Sequence, residues 1–342
     1  MKTHSFLSLS FLMMILACQN TSITKEEPNN IIPIRSMVDS SGLSSNEALY
    51  GDLPDSVVAE LKLMDSLLLA LDQKEFPTEE DFVEDELTYE ADQAAVDSIN
   101  LENWEHRASN AFKQHQLSFE RVQDIYKENA TYIKKLLLSK GIQSFNIDFY
   151  MRAFKEEGVL ELWAKPKERS TYTRLITYPF YQGMSTLGPK RREGDMQVPE
   201  GFYYIDYFNP ESSYKISLRI NYPNSADVIR NAEEAKIGGS ICIHGHTISV
   251  GCLAITDLRI PNVYILAVEA KDKGQVQIPI HIFPARLEAD KLATLASEWS
   301  HQTNVIHLWE SMKPAYDYFE KTRTLAQIET TSNGFYAIQE QP

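Results

Sequence analysis

The stretch Ile237-Gly238-Gly239-Ser240-Ile241-Cys242-Ile243-His244-Gly245-His246-Thr247-Ile248-Ser249-Val250-Gly251-Cys252-Leu253-Ala254-Ile255-Thr256-Asp257 decides how the rest of the chain is read. Residues 240–244 alternate as a short strand does, with Ile241 and Ile243 on one face and Cys242 and His244 on the other. Gly245 ends the strand. A few loop residues lead to Gly251-Cys252, and Leu253-Ala254-Ile255 reads as the start of a helix. A cysteine at a helix N-terminus has its thiolate favoured by the dipole and by open backbone N–H groups. A histidine one short loop away is placed to act as its base. Glycine beside the cysteine lets a carbonyl approach the backbone, as an oxyanion site requires. Taken bare, a Cys–His pair is a weak signal, since such pairs occur in many inert proteins.

Working outward, β-rich runs at residues 145–154, 159–164, 171–181, 202–208 and 216–220 precede this stretch, punctuated by Gly and Pro. After Pro284 the pattern turns helical over 288–300 and 305–321. A hairpin is expected from 325–330 and 335–339, around Ser332-Asn333-Gly334. Residues 94–139 read as mostly helical, ending with Ile133, Leu136, Leu137, Leu138 and the C-cap candidate Gly141. An earlier amphipathic pattern opens at Pro54, with Val57, Val58, Leu61, Met64, Leu67, Leu68 and Leu71 at helical spacing. Between the two, residues 75–92 hold nine acidic side chains and no basic one. A calcium loop would need alternating ligands and a turn glycine, so we read this segment as a solvated spacer. The expected fold class is α+β. A mainly β domain over 140–338 carries helical additions at both ends and follows a helical, acidic region over 54–139.

Charge is unevenly spread. The 342 residues carry a net charge of −15, yet residues 19–140 hold 24 acidic against 11 basic side chains and residues 141–342 hold 24 against 21. The acidity belongs to the N-terminal third, and no basic face offers itself to nucleic acid. Three cysteines are too few for a disulfide-stapled scaffold or a Cys-rich zinc site. At the N-terminus, Lys2 and His4 precede an apolar run over 6–17, too short to span a membrane and shaped like a secretory signal. The run ends Ile15-Leu16-Ala17-Cys18, which resembles the lipobox of bacterial lipoproteins, with Cys18 as the lipidated first residue of the mature chain. An ordinary signal peptide with an incidental cysteine is the competing reading, and the polar Gln19-Asn20-Thr21 favours the lipobox. Residues 19–53, rich in Ser, Asn, Pro and Glu, then read as a flexible tether. On this reading the protein is exported and held on a membrane facing the periplasm, through more than one acyl chain.

The motifs around the Cys–His stretch add specificity. His244-Gly245 followed by Ser249-Val250-Gly251-Cys252 resembles the signature of the L,D-transpeptidase catalytic domain, the YkuD family. Gly188-Pro189-Lys190, Gly194-Asp195 and Val198-Pro199-Glu200-Gly201-Phe202-Tyr203 resemble the segment upstream of it. Phe208-Asn209-Pro210, Ser217-Leu218 and Asn221-Tyr222-Pro223-Asn224 are similar to the YafK-type branch. So are Arg152-Ala153-Phe154-Lys155 with Leu160-Glu161-Leu162-Trp163, and His281-Ile282-Phe283-Pro284. The resemblance spans residues 120–338. It implies a YkuD-like fold and attack by a cysteine thiolate on the carbonyl of the third residue of a peptidoglycan stem peptide, commonly a diaminopimelate. A thioester acyl-enzyme results, resolved by an amine into a cross-link or by water. Carried onto this chain, the resemblance makes Cys252 the nucleophile and His244 the proton donor and acceptor. It makes the N–H groups of Gly251 and Cys252 oxyanion donors, and gives Ser249 an orienting role. No cofactor and no metal are implied. Two departures stand out: Val250 where the family often has histidine, and a shorter loop between His244 and Cys252. The YafK-type branch shares both, and its members are implicated in transpeptidation and in release of a protein bound to peptidoglycan.

Other residues carry weaker alternatives. His246 could serve as a second base or contact substrate, against the plain reading of a loop histidine. His244, His246 and Cys252 could bind zinc instead, but a catalytic zinc site wants a third protein ligand and a convincing geometry, so we expect no metal. Cys242 and Cys252 could pair as a disulfide outside the cytoplasm; between Ile neighbours, Cys242 reads instead as an inert buried thiol. Lys190, Arg191 and Arg192 could bind stem-peptide carboxylates, or be a solvated basic loop. Tyr203, Tyr204 and Tyr207 read as sheet packing. The rival functions are a hydrolase using the same acyl-enzyme and a catalytically silent peptidoglycan-binding module.

Overall fold

A computed structural model describes residues 110–339, together with 96, 98–102, 104 and 105. The export signal with Cys18, the tether, the helix read from Pro54 and the acidic spacer lie outside the described residues. Two helices come first, α1 (Ala111–Gln116) and α2 (Glu120–Ser139). Strands β1 (Ile147–Phe154), β2 (Val159–Pro166), β3 (Thr173–Pro179), β4 (Gly201–Asn209) and β5 (Ser217–Ile220) follow, within a few residues of the β-rich runs. After the short helix α3 (Ser225–Arg230) come β6 (Cys242–His244) and β7 (Leu253–Ala254). Helix α4 (Ile260–Asp272), strand β8 (Pro279–Phe283), helices α5 (Ala289–Glu298) and α6 (Thr303–Thr322), and the hairpin β9 (Gln327–Thr330) and β10 (Tyr336–Gln339) complete the domain.

Eight strands form one mixed sheet in the order β3-β2-β1-β8-β4-β5-β6-β7. Pairing is antiparallel except between β1 and β8 and between β6 and β7. Period-two alternation divides the core between the two faces of the sheet. On β1, Phe149, Met151 and Ala153 join a cluster with Ile280 and Ile282 of β8 and the apolar residues of α4. Phe154 and Phe283 point the other way, into a cluster with Leu295 of α5 and Trp309, Met312 and Tyr316 of α6. Helix α4 packs against α1, α2 and β1, and every residue of it but Lys271 is buried. A helix buried all round has no polar stripe, so the amphipathic pattern that reveals α2, α5 and α6 is missing from it. The two helices that close the expected N-terminal helical region thus share a core with the sheet.

The resemblance motifs Arg152-Ala153-Phe154-Lys155 and Leu160-Glu161-Leu162-Trp163 turn out to build internal ion pairs. Arg152 Nε donates to Glu161 Oε2 at 2.5 Å, its guanidinium meets Glu320 at 2.6 Å, and Trp163 Nε1 donates to Glu161 at 2.9 Å. Burial pushes the Glu161 carboxyl up, but Arg152 and Arg286 outweigh it and hold the group below its ordinary range. Lys155, wholly buried, lies 3.1 Å from Glu200 and donates to the carbonyls of Gly188 and Val198 at 2.8 Å. Glu200 in turn accepts from Gly188 N–H and from Trp309 Nε1. Burial lowers the Lys155 ammonium, with Glu200 and Asp195 acting against that shift. These contacts tie the connection between β3 and β4 to the core.

At the far end of the sheet, β7 is met on its outer side by Tyr181. The Tyr181 N–H donates to the Ala254 carbonyl at 2.7 Å, and the Ala254 N–H returns a bond of 3.1 Å to Tyr181 O.

Candidate active site

Strands β6 and β7 run parallel, with Ile243 opposite Leu253 and His244 opposite Ala254. That register carries Cys252, the residue before β7, alongside Cys242, on the face that His244 also occupies by alternation. The expected helix start at Leu253-Ala254-Ile255 is therefore corrected: these residues enter the sheet, and the next helix begins at Ile260. Short apolar runs carry no period that separates strand from helix, and pairing with β6 decides here. No helix dipole acts on Cys252. What reaches its sulfur instead is the backbone N–H of Cys242, which donates to Cys252 Sγ at 3.4 Å. A donor aimed at the sulfur favours the thiolate just as a helix N-terminus would.

Three glycines give the segment its shape. A Cβ at Gly245 would lie 2.2 Å from Asp257 Oδ1, so only glycine lets the Asp257 carboxylate accept the His246 N–H at 2.9 Å. Gly251 has φ +113° and would meet the Gln197 carbonyl at 2.9 Å. Gly183, at φ +60°, lies directly under the Ser249 carbonyl. Ser249 then locks the turn. Its Oγ accepts from Cys252 N–H at 2.8 Å and donates to Cys252 O at 2.6 Å. Ser249 thereby fixes the backbone of Cys252 in the turn. The same bond corrects one expectation, because the Cys252 N–H is committed to Ser249 and not open to an oxyanion.

His244 is buried, 1% exposed, and its Nδ1 lies 2.6 Å from the Gly245 carbonyl. A carbonyl only accepts, so Nδ1 is the donor in this bond, and Nε2 is the ring nitrogen left for other chemistry. The ring of Tyr214 lies against the imidazole at 4.7 Å between centroids, tilted by 33°. The Tyr214 carbonyl also accepts the Gly245 N–H at 3.2 Å. Its loop is held by Arg121 of α2, whose guanidinium donates to the carbonyls of Ser212 and Lys215 at 2.6 Å. Neither Tyr214 nor Arg121 stands in a motif, and only the folded chain brings them to the site. Cys252 itself is 5% exposed.

The other candidates fall elsewhere. His246 is exposed, at φ +62°, with its Nδ1 accepting from Ile248 N–H at 3.3 Å. Lys190 does not face solvent: it is 4% exposed and its ammonium is committed to Asp195 at 2.6 Å and to the Arg192 carbonyl. The backbone N–H groups of Arg191 and Arg192 donate to the same Asp195 carboxylate, leaving only their side chains on the exposed surface of that loop. Among the described residues, no three His, Cys, Asp or Glu side chains gather in a metal-holding group, and no helix is long and apolar enough to cross a membrane.

No family model matches the chain. It is 34% identical over 192 residues to the Escherichia coli (strain K12) protein named "Putative L,D-transpeptidase YafK", an alignment covering 55% of this chain and 73% of that protein. The counterpart in Escherichia coli O157:H7 gives the same figures. Among solved structures, the chain is similar to the helical cell shape determining protein Pgp2 from Campylobacter jejuni, at 16% identity and a TM-score of 0.33, over 55% of this chain and 74% of that one. It is also similar to Mycobacterium tuberculosis L,D-transpeptidase 1, at 13% identity and a TM-score of 0.23, over 41% and 64% of the two chains.

Proposed function

The chain belongs to the L,D-transpeptidase family, in its YafK-type branch, and from that premise we propose that it is a cysteine acyltransferase of peptidoglycan stem peptides. The observation that carries the reading is the Cys252 sulfur, which takes the Cys242 N–H on the sheet face it shares with His244, a histidine whose Nδ1 is tied to the Gly245 carbonyl. With Nδ1 protonated, His244 has Nε2 available to take the thiol proton. The thiolate attacks the carbonyl of the third stem-peptide residue. Negative charge develops on that oxygen, and the Gly251 N–H is its donor, since the Cys252 N–H is held by Ser249. The tetrahedral adduct collapses, His244 returns the proton to the departing amine of the D-residue, and a thioester on Cys252 remains. An acceptor amine, deprotonated by His244, resolves the thioester into a new amide.

Purified protein incubated with muropeptides, with and without an added amine acceptor, tests this by mass spectrometry. The expected products are a cross-linked or amine-exchanged stem peptide and a released D-residue. Products formed only by water would assign the chain to hydrolysis, and unchanged muropeptides would overturn an enzymatic role. Cys252→Ala should abolish turnover while leaving the thermal unfolding temperature close to that of the parent, because the swap removes one sulfur atom and leaves the backbone bonds to Ser249 in place. Undiminished turnover would remove Cys252 from the mechanism.

Export and lipid anchoring belong to the same proposal, supported by Ile15-Leu16-Ala17-Cys18. Cys18→Ser should move the protein from the membrane fraction to the soluble exported fraction. An unmodified mature N-terminus downstream of residue 18 would sink the anchor.

A further inference from the structure

Acyl transfer leaves one thiol at the site without a task. Cys242 sits beside Cys252 in the continued register of β6 and β7, and both residues are nearly but not wholly buried, at 6% and 5% exposure. The two sulfurs converge on one atom. Cys242 Sγ lies 3.4 Å from the Ser240 carbonyl oxygen and Cys252 Sγ lies 3.9 Å from it. The Cys242 N–H, one bond from the Cα that carries its own side chain, already donates to Cys252 Sγ. Neither cysteine is in a disulfide. Adjacent strands lie about 4.8 Å apart, inside the Cα separation of roughly 4.4–6.8 Å that a disulfide spans. Cys252 follows a glycine turn and precedes a two-residue strand, so its side chain can turn toward its neighbour without breaking a long ladder.

From this convergence we infer that Cys242 is a resolving thiol, which captures Cys252 as a reversible disulfide when peroxide oxidises it. The inference rests on Cys252 being the reactive thiolate of the proposed acyl transfer. The Cys252 thiolate attacks one oxygen of the peroxide and the O–O bond breaks. The other oxygen leaves as hydroxide and the sulfur, losing two electrons, becomes a sulfenic acid. The Cys242 thiol then attacks Cys252 Sγ, the S–O bond breaks, and water leaves with the thiol proton. The product is the Cys242–Cys252 disulfide, which carries no nucleophile. A dithiol reductant returns both thiols by exchange. Without Cys242, the sulfenic acid has no partner and further peroxide carries it to sulfinic acid, which such reductants do not reverse.

Peptide mapping decides the matter. Both cysteines fall within one tryptic peptide, residues 237–259, which contains no internal Lys or Arg. After hydrogen peroxide treatment, the wild-type peptide should resist alkylation and weigh two hydrogens less than the dithiol form. Turnover should drop at least about tenfold and return to within about twofold of the untreated sample after dithiothreitol. Cys242→Ala, compared with its own untreated activity, should lose turnover to the same peroxide and fail to recover, with sulfinic acid on Cys252. Wild-type peptide bearing sulfinic acid but no cross-link, or full dithiothreitol recovery in Cys242→Ala, would overturn the proposal. Cys252→Ala separates the two readings. If it retains full turnover, the acyltransfer mechanism falls and the resolving role falls with it. If it is inactive and the wild type never forms the disulfide, only the resolving role falls.

Discussion

Ser249 satisfies both the N–H and the carbonyl of Cys252 with one hydroxyl, so Cys252 cannot rotate away from β6. Against that fixed point, the two histidines differ sharply. His244 is buried, has one nitrogen tied to Gly245 and lies under Tyr214, whereas His246 is exposed on the loop. His244→Ala or His244→Gln should lower turnover by about two to four orders of magnitude, and His246→Ala by less than about tenfold. Iodoacetamide trapping of Cys252 across pH should shift toward the behaviour of an ordinary thiol, near pH 8.5, only in the His244 variants. The reverse ranking would relocate the base. At this scale the sequence was highly readable. His244, Ser249, Gly251 and Cys252 stand in one motif because a single turn must hold them together. Tyr214 was not readable, since a tyrosine between Ser213 and Lys215 has no local reason to meet a histidine thirty residues on. Lys190 was misread because charge in a sequence suggests exposure, and only the fold supplies Asp195 as its partner.

Among the elements, α2 acts on the site at a distance of two contacts. Arg121 grips the carbonyls of Ser212 and Lys215, and the loop between them lays Tyr214 on His244. Arg121→Ala frees that loop without touching substrate. It should reduce kcat by about three- to thirtyfold with little change in KM or in the far-ultraviolet circular dichroism, the signature of a misplaced catalytic group. Arg121→Lys, which keeps the charge but not the planar Nη1 group that bridges the two carbonyls, should recover only part of the loss. Equal kcat in all three proteins would show that the loop needs no tether. Most elements were legible from periodicity, and four were not. Helix α4 is buried on all sides, β7 is two residues long, and α3 and β8 run to only six and five residues, so none of them leaves a readable pattern of alternating environments in the chain.

For the molecule as a whole, buried ionisable groups set the response to acid. His281 accepts or donates a hydrogen bond with Tyr150 OH at 2.9 Å, and burial with the nearby Arg152 charge pushes its imidazolium down to about 3. Free histidine titrates near 6.5, so between those values the unfolded chain binds the proton and the native one does not. Stability from this group is complete above about pH 6.5 and declines as pH falls toward 3. Asp227 acts oppositely. Burial raises it to about 6, so its contribution is present at low pH and is lost as pH rises through that value. His281→Gln should therefore flatten the acid side of the stability profile, removing up to about 1.4 kcal/mol per pH unit below pH 6. Urea midpoints measured from pH 7 to pH 4 would check it, and parallel profiles for variant and parent would remove His281 as the source. The feature with the widest reach is smaller. Tyr181 occupies both hydrogen-bonding groups that Ala254 turns outward, so the margin of the sheet beside Cys252 is already paired at that rung. A protein that presents a nucleophile at the rim of a sheet invites other chains to zip onto that rim. Here the rim is hemmed, and a peptide must reach Cys252 across the face of the sheet or through the loops. The end of the sheet that carries Cys252 is thereby closed to an added strand at Ala254.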